Sequence, residues 1–182
     1  MQNNNSSAHL ILGGARSGKS SFAETRAEQL ALSEKSATPG KRLVYIATAT
    51  AEDNEMKHRI EQHQRSRSQF WIVIEEQIKL TDVLKGITEP SVILVDCLTL
   101  WLSNCLHDDE AVWKQQKNQL LSYLPNTKHD LIFVSNEVGH GIVPLGKLSR
   151  TFVDESGWLH QSLASICTEV TMVIAGLPQK LK

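Results

Sequence analysis

The sequence predicts an α/β fold in which helices flank a mainly parallel sheet. Apolar segments typical of strands alternate with helical segments along the whole chain. The strand segments at 91–96 and 130–135 are almost continuously apolar, which is typical of strands buried on both faces of a parallel sheet. The 182 residues contain no internal repeat and no shift in composition. We therefore expect one domain, residues 9–182, after a disordered lead at residues 1–8.

The individual elements follow from composition and periodicity. Strands are predicted where β-branched and aromatic residues cluster, at 9–12, 42–47, 70–75, 91–96, 130–135 and 170–175. Helices are predicted where good helix formers and helical apolar spacing coincide, at 20–32, 53–67, 80–87, 98–106, 110–124 and 148–167. Pro39-Gly40 predicts a turn between the first helix and the second strand.

Composition excludes several classes of protein. The formal net charge is -1 and charges of both signs are interspersed, so no basic stripe suggests a nucleic-acid partner. No apolar run approaches the roughly 20 residues of a membrane span, and the first residues lack the pattern of a signal peptide. Cys97, Cys105 and Cys167 match no zinc-ligand spacing and are expected to be reduced, buried thiols. These features predict a cytoplasmic protein.

The first strand runs directly into a glycine-rich segment that matches G-x-x-x-x-G-K-[ST]. Glycines let the backbone curl so that its N–H groups point at phosphate oxygens, and the helix that follows adds its positive N-terminus. Lys19 is expected to reach the β- and γ-phosphates, and the Ser20 hydroxyl to bind Mg²⁺. Eight residues are thus predicted to bind nucleotide: Gly13, Gly14, Ala15, Arg16, Ser17, Gly18, Lys19 and Ser20. The fold class becomes a P-loop (RecA-like) sandwich.

An acidic residue, Asp96, ends the most apolar strand. In open α/β sheets, ligands bind at the carboxyl edge of the strands, and a carboxylate there can bind nucleotide or hold a metal ion. Asp is also a good N-cap for the helix that follows. The sequence is compatible with both roles and predicts Mg²⁺ as the cofactor.

A polar stripe lies on the predicted helix 53–67. Glu55, Arg59, His63 and Arg67 recur every four residues, so each step turns by only about 40° around the helix axis. The arginines could hold a phosphate while His63 attacks phosphorus and forms a covalent intermediate. A solvated helix face with a stray histidine has the same spacing, so both interpretations stay open on spacing alone.

Several blocks of the sequence resemble the bifunctional adenosylcobinamide kinase / adenosylcobinamide-phosphate guanylyltransferase family. The blocks are the loop at 13–20, Tyr-Ile-Ala-Thr at 45–48, the Glu-Met-x-x-Arg-Ile core at 55–60, Asn-Glu-Val-Gly-x-Gly-Ile-Val-Pro at 136–144, and Arg-x-Phe-x-Asp-x-x-Gly at 150–157 followed by Gln161. They spread over nearly the whole chain, and the blocks at 55–60 and 136–144 are far more specific than the loop.

The resemblance implies two activities in one protein. The first phosphorylates the hydroxyl of the aminopropanol arm of adenosylcobinamide with ATP or GTP. The second transfers GMP from GTP to that phosphate, through a histidine that carries GMP, and gives adenosylcobinamide-GDP and pyrophosphate. His63 is the best match to that histidine, since His58 lies outside the expected register. Gln62 stands where members can carry an adjacent histidine; if that position is the one that matters, the kinase activity could survive alone.

The resemblance also implies roles for residues at strand ends. Nucleotide contacts are expected from Thr48, Ala49, Thr50 and Glu75. Arg67, on the polar stripe of the predicted helix, is also expected to bind nucleotide. Asn136 and Glu137 end a later strand at the same edge, and Glu137 is expected to be a metal ligand or the general base for the substrate hydroxyl, or else a structural carboxylate bonded to loop amides. The family further suggests small-molecule substrates and a homotrimer.

Other functions explain less of the sequence. A different P-loop small-molecule kinase would account for the loop and Asp96, but not for the histidine stripe or block 136–144. A GTP-responsive switch would carry an Asn-Lys-x-Asp element, which 126–128 does not fit. A metal-binding module is weak because the histidines and cysteines are scattered. Trp101, Trp113 and Trp158 are expected in the core or in subunit contacts.

Overall fold

The computed structural model describes residues 6–32, 41–49 and 70–182. Within these ranges a seven-stranded sheet carries helices on both faces. The strands are β1 (Ala8–Gly13), β2 (Arg42–Ala47), β3 (Trp71–Glu75), β4 (Ser91–Asp96), β5 (Asp130–Asn136), β6 (Glu169–Ile174) and β7 (Leu177–Lys180). The helices are α1 (Lys19–Leu32), α2 (Leu80–Gly86), α3 (Leu98–Asp108), α4 (Glu110–Tyr123) and α5 (Lys147–Ile166), with a 3-10 turn at Leu124–Asn126.

The strand order is β3-β2-β4-β5-β1-β6-β7. The first six strands pair in parallel, and β7 pairs antiparallel to β6. The continuously apolar strands β4 and β5 lie in the middle of the sheet, where both faces are covered. The predicted α/β fold with a mainly parallel sheet is therefore confirmed.

Two apolar clusters form the core, one on each face of the sheet. Successive residues of a strand point to opposite faces, so Leu10 packs in the cluster shared with α2 to α5, whereas Ile11 packs beneath α1. The inner face of α1 is alanine at 23, 27 and 31, and these small side chains let the helix approach the sheet closely. Trp101 and Trp113 are fully buried, with ring centroids 5.2 Å apart in an edge-to-face arrangement. Trp158 is 55% exposed.

The observed elements differ from the sequence-based expectations at two places. The last strand was expected at 170–175, but the chain turns at Ala175-Gly176 and adds β7. This strand escaped prediction because its four residues include Pro178, which sheets tolerate only at an edge or bulge. Residues 6 and 7, in the expected lead, are tied to the domain: Ser6 Oγ donates to Thr127 O (2.8 Å) and Ser7 N to Asp130 Oδ1 (2.8 Å). The expected helix 53–67 lies outside the described residues.

Within the described ranges, no helix is both long and apolar enough to cross a membrane.

Candidate active site

The loop between β1 and α1 adopts a compact turn. Arg16 and Gly18 have positive φ angles of 56° and 93°. Ser17 N donates to Gly14 O (3.3 Å), and the Lys19 ammonium donates to the same carbonyl oxygen (3.1 Å). The lysine thus folds back over the loop, so its charge lies beside the backbone that the sequence predicts to bind phosphate.

Gly13 occupies a position of the loop where there is no room for a side chain. A Cβ at Gly13 would lie 2.5 Å from Ser17 Oγ and 2.6 Å from the carbonyl oxygen of Val173. Both distances are far below van der Waals contact, and the second atom belongs to the backbone of the neighbouring strand. The close approach of loop and sheet therefore requires glycine here.

Asp96 lies at the carboxyl edge of β4 and is partly buried. The Tyr45 hydroxyl donates to its Oδ2 atom (3.0 Å), which fixes the carboxylate against β2. Cys97, not Asp96, occupies the N-cap position of α3 and makes no side-chain capping bond. The alternative role of Asp96 as the N-cap is therefore not observed, and its carboxylate is held at the edge where ligands bind.

Glu137 is hydrogen-bonded through its backbone to the start of the loop. Its N–H donates to Gly13 O (3.1 Å), because β5 and β1 are neighbours in the sheet. Its Oε1 atom accepts from Gly139 N (2.6 Å), and Oε2 lies 3.8 Å from His160 Nδ1 on α5. The carboxylate is thus bonded to a loop amide, as one interpretation of the sequence held, and it lies next to the phosphate loop.

Two further side chains brace this edge. Asn136 Nδ2 donates to Thr99 Oγ1 (2.9 Å), which ties the end of β5 to the first turn of α3. Thr48 is fully buried; its hydroxyl donates to Cys97 O (2.7 Å) and accepts from Cys97 N (2.8 Å). The Thr48 hydroxyl therefore links the chain just after β2 to the chain just after β4. The neighbouring Ala49 is partly exposed.

Glu75 lies at a distance from the loop. It ends β3 at the edge of the sheet and pairs with Ala47. Four strand spacings separate β3 from β1, which amounts to about 19 Å across the sheet. Glu137 follows β5 and Asp96 ends β4, one and two strand spacings from β1, so both lie nearer to the loop along this edge than Glu75 does. Thr50, His63 and Arg67 lie outside the described residues.

Sequence reasoning missed the histidine next to Glu137. His160 Nε2 lies 2.7 Å from Ser135 Oγ, and burial lowers the pKa of His160 while the Glu137 carboxylate opposes that shift. A histidine inside a long helix gives no local indication that it faces a strand end, so only the structure identifies it.

The family model described as "Cobinamide kinase / cobinamide phosphate guanyltransferase" matches residues 9–181. The chain belongs to this family. It is 47% identical to the bifunctional adenosylcobalamin biosynthesis protein CobP of Pseudomonas aeruginosa, over 95% of this chain and 96% of the relative. It is 34% identical to the bifunctional adenosylcobalamin biosynthesis protein CobU of Escherichia coli K12, over 95% and 98%. A solved structure from Pyrococcus horikoshii, with TM-score 0.52, 9% identity and coverage of 97% and 86%, supports the fold alone.

The cobinamide kinase / guanyltransferase match covers every block on which the resemblance was based, so that resemblance is confirmed. It includes the phosphate loop, the block 136–144 and the segment 53–67 within one continuous range. The described residues of this family member include the phosphate loop, whereas the segment 53–67 to which the match also extends lies outside them.

Proposed function

We propose that this protein phosphorylates adenosylcobinamide with ATP or GTP, and then transfers GMP from GTP to the new phosphate to form adenosylcobinamide-GDP. This would serve assembly of the nucleotide loop of cobalamin. The observation that carries the proposal is the hydrogen bond from Glu137 N to Gly13 O (3.1 Å), because it places a residue that carries a carboxylate next to the start of a phosphate-binding loop. That pairing suits phosphoryl transfer to a hydroxyl, and family membership supports the substrate.

In the kinase step, the hydroxyl oxygen of the substrate attacks the γ-phosphorus. A bond forms between these atoms, the bond from the γ-phosphorus to the bridging oxygen breaks, and the nucleoside diphosphate leaves. Glu137 takes the hydroxyl proton as general base. Lys19 offsets the charge that builds on the phosphate oxygens.

Mg²⁺ fits the groups at this edge. Ser20, with its hydroxyl, lies in the first turn of α1 beside the loop, and the Asp96 carboxylate lies at the end of β4. Both offer oxygen atoms, which are the ligands that Mg²⁺ prefers, together with phosphate oxygens of the substrate. A bound Mg²⁺ would neutralise phosphate charge.

In the transfer step, neutral His63 attacks the α-phosphorus of GTP and pyrophosphate leaves. An oxygen of the substrate phosphate then attacks the same phosphorus, and the histidine is released. The reaction needs pH near or above about 6.5, the ordinary pKa of histidine. Arg59 or Arg67 offsets the phosphate charge, and Thr48, Ala49, Thr50 and Glu75 contact the nucleotide.

We also propose a homotrimer that takes small-molecule substrates and binds no nucleic acid. The connection between β5 and α5 and the first turn of α5 expose apolar side chains that an assembly would cover: Ile142 (97% exposed), Val143 (73%), Leu145 (99%) and, in α5, Leu148 (66%). Exposed apolar patches are typical of interaction surfaces.

The three cysteines are free and buried, which suits the reducing cytoplasm.

The two activities can be tested separately. With GTP labelled at the α-phosphorus, we expect acid-labile, alkali-stable label on the wild-type protein and on the control His140→Ala, but not on His63→Ala. Lys19→Ala should lower phosphorylation of adenosylcobinamide by about 100-fold or more. No label on the wild type, with normal kinase activity, would contradict the transferase half and leave a small-molecule kinase. Absence of both activities would contradict the whole proposal.

A further inference from the structure

The turn between β6 and β7, residues 174–177, is attached to the phosphate loop. Gly176 N donates a 2.8 Å hydrogen bond to the carbonyl oxygen of Ser17. A Cβ at Gly18 would lie 3.2 Å from Gly176 Cα, so the two backbones are in direct contact. The turn therefore packs directly against the loop.

The conformation of this turn presents two apolar side chains. Ala175 and Gly176 have positive φ angles of 51° and 78°, as in a two-residue type I′ hairpin. Ile174 pairs directly with Leu177, so both side chains project from the same face of the hairpin. They are 60% and 72% exposed. Alanine rarely adopts a positive φ, and such residues persist where the surrounding structure demands them.

The strand order gives a bound nucleotide its direction. Asp96 and Glu137 end β4 and β5, which lie on one side of β1, whereas β6 is the neighbour of β1 on the other side. The phosphoryl group that is transferred must face the carboxylates. The nucleoside at the other end of the triphosphate chain then extends toward β6 and its turn.

We propose that Ile174 and Leu177 form the platform for the nucleobase of the nucleoside triphosphate held by the loop. The inference rests on the proposed function, since it needs a triphosphate in the loop. The face of a purine ring is apolar and packs well against aliphatic side chains. Neither side chain carries a hydrogen-bonding group, so their contact does not distinguish adenine from guanine.

The test compares three probes by titration calorimetry on the full chain with Mg²⁺: non-hydrolysable analogues of ATP and of GTP, and inorganic tripolyphosphate. The variants are Ile174→Ala/Leu177→Ala and the control Leu181→Ala. Leu181 is 56% exposed and follows β7, at the opposite edge of the sheet. We expect the double variant to bind both analogues about tenfold more weakly. Its affinity for tripolyphosphate should equal that of the wild type, and Leu181→Ala should change nothing.

Three results would overturn the inference. Equal weakening of all three probes would mean that the turn acts through the loop and not through the base. Unchanged binding of both analogues would remove the hairpin from the site. A loss of affinity that accompanies a smaller assembly in sedimentation would make this face a contact between copies. Failure of tripolyphosphate to bind even the wild type would instead contradict the phosphate loop, and with it the proposed function.

Discussion

His160 Nδ1 lies 3.8 Å from Glu137 Oε2, and the same ring contacts Ser135 through its other nitrogen, 2.7 Å from Oγ. This arrangement links helix α5 to the end of β5 beside the phosphate loop. Because the pKa of His160 is lowered, chiefly by burial, the neutral ring predominates near pH 7. A neutral ring that accepts from Ser135 through Nε2 presents its Nδ1–H toward the carboxylate.

Acidification should destabilise the fold through its buried histidines. The pKa values of His9, His129 and His160 are all lowered, with burial the largest cause. Below about pH 6.5 the unfolded chain binds protons at these residues while the folded chain does not, so the free energy of unfolding decreases as pH falls toward the lowered pKa values. Urea unfolding at about pH 7.5 and about pH 5.5 measures the slope.

The contribution of His160 is separable in the same experiment. His160→Asn should make the free energy of unfolding less dependent on pH, whatever its effect on stability at neutral pH. His107→Asn, at an exposed position near the end of α3, serves as the control and should leave the slope unchanged. An unchanged slope in His160→Asn would show that this histidine does not contribute.

Substitution by alanine should have different effects on stability at the first two glycines of the loop. Gly13→Ala places a Cβ 2.6 Å from Val173 O, so we expect loss of nucleotide binding and destabilisation by about 1–3 kcal/mol. Gly14→Ala meets nothing within 4 Å and should change stability by less than about 0.5 kcal/mol. Thermal unfolding and nucleotide titration measure both effects. Wild-type behaviour of Gly13→Ala would refute the loop geometry.

The consecutive residues Lys41 and Arg42 each form an ion pair, one buried and one exposed. Lys41 Nζ is 2.5 Å from Asp130 Oδ2, with side chains 8% and 7% exposed, whereas Arg42 and Glu89 pair at 3.1 Å with both side chains 60% exposed. Lys41→Met leaves a buried carboxylate without its cation and should cost about 3 kcal/mol. Arg42→Ala should cost less than about 1 kcal/mol. Equal costs in denaturant unfolding would show that burial does not decide the strength of the Lys41 pair.

The three thiols should be unreactive in the native protein. Burial raises the pKa of Cys97, and raises the pKa values of Cys105 and Cys167 to about 12. Thiolate is the reactive form, so an aromatic disulfide reagent at about pH 8 should modify none of them until guanidinium unfolds the chain. Rapid modification of one thiol in the native state would identify a site of local opening.

Much of the fold was predictable because local patterns and burial agree. The apolar runs at 91–96 and 130–135 became the two central strands, and the prediction for 42–47 matches β2 residue for residue. The phosphate loop was predictable because its glycines and lysine are adjacent in the chain. β7 was not, because the pairing that makes it a strand comes from β6 and not from its own sequence.

The candidate site likewise contains residues that the sequence identifies and residues that only the structure identifies. Lys19 was chosen from its motif, and Asp96 and Glu137 from strand ends. The structure places Lys19 beside the loop and the two carboxylates at the ends of the neighbouring strands β4 and β5; the roles of all three remain predictions. The hydrogen bonds between Thr48 and Cys97 could not be predicted from sequence position, because they depend on which way the side chain turns; a contact of Thr48 with nucleotide stays a prediction. His160 and Gly176 could not be identified from the sequence, because their contacts join residues that are 25 and 159 positions apart in the chain.

The sequence by itself determined the α/β class, the phosphate loop and the family, since each follows from local patterns within single segments or from the order of those segments along the chain. Only the tertiary structure decided which groups meet at the carboxyl edge: Tyr45 with Asp96, His160 with Glu137, and the β6–β7 turn with the loop. The physical reason is strand order. Parallel pairing places β5 between β4 and β1, and no local pattern in a strand specifies its neighbour.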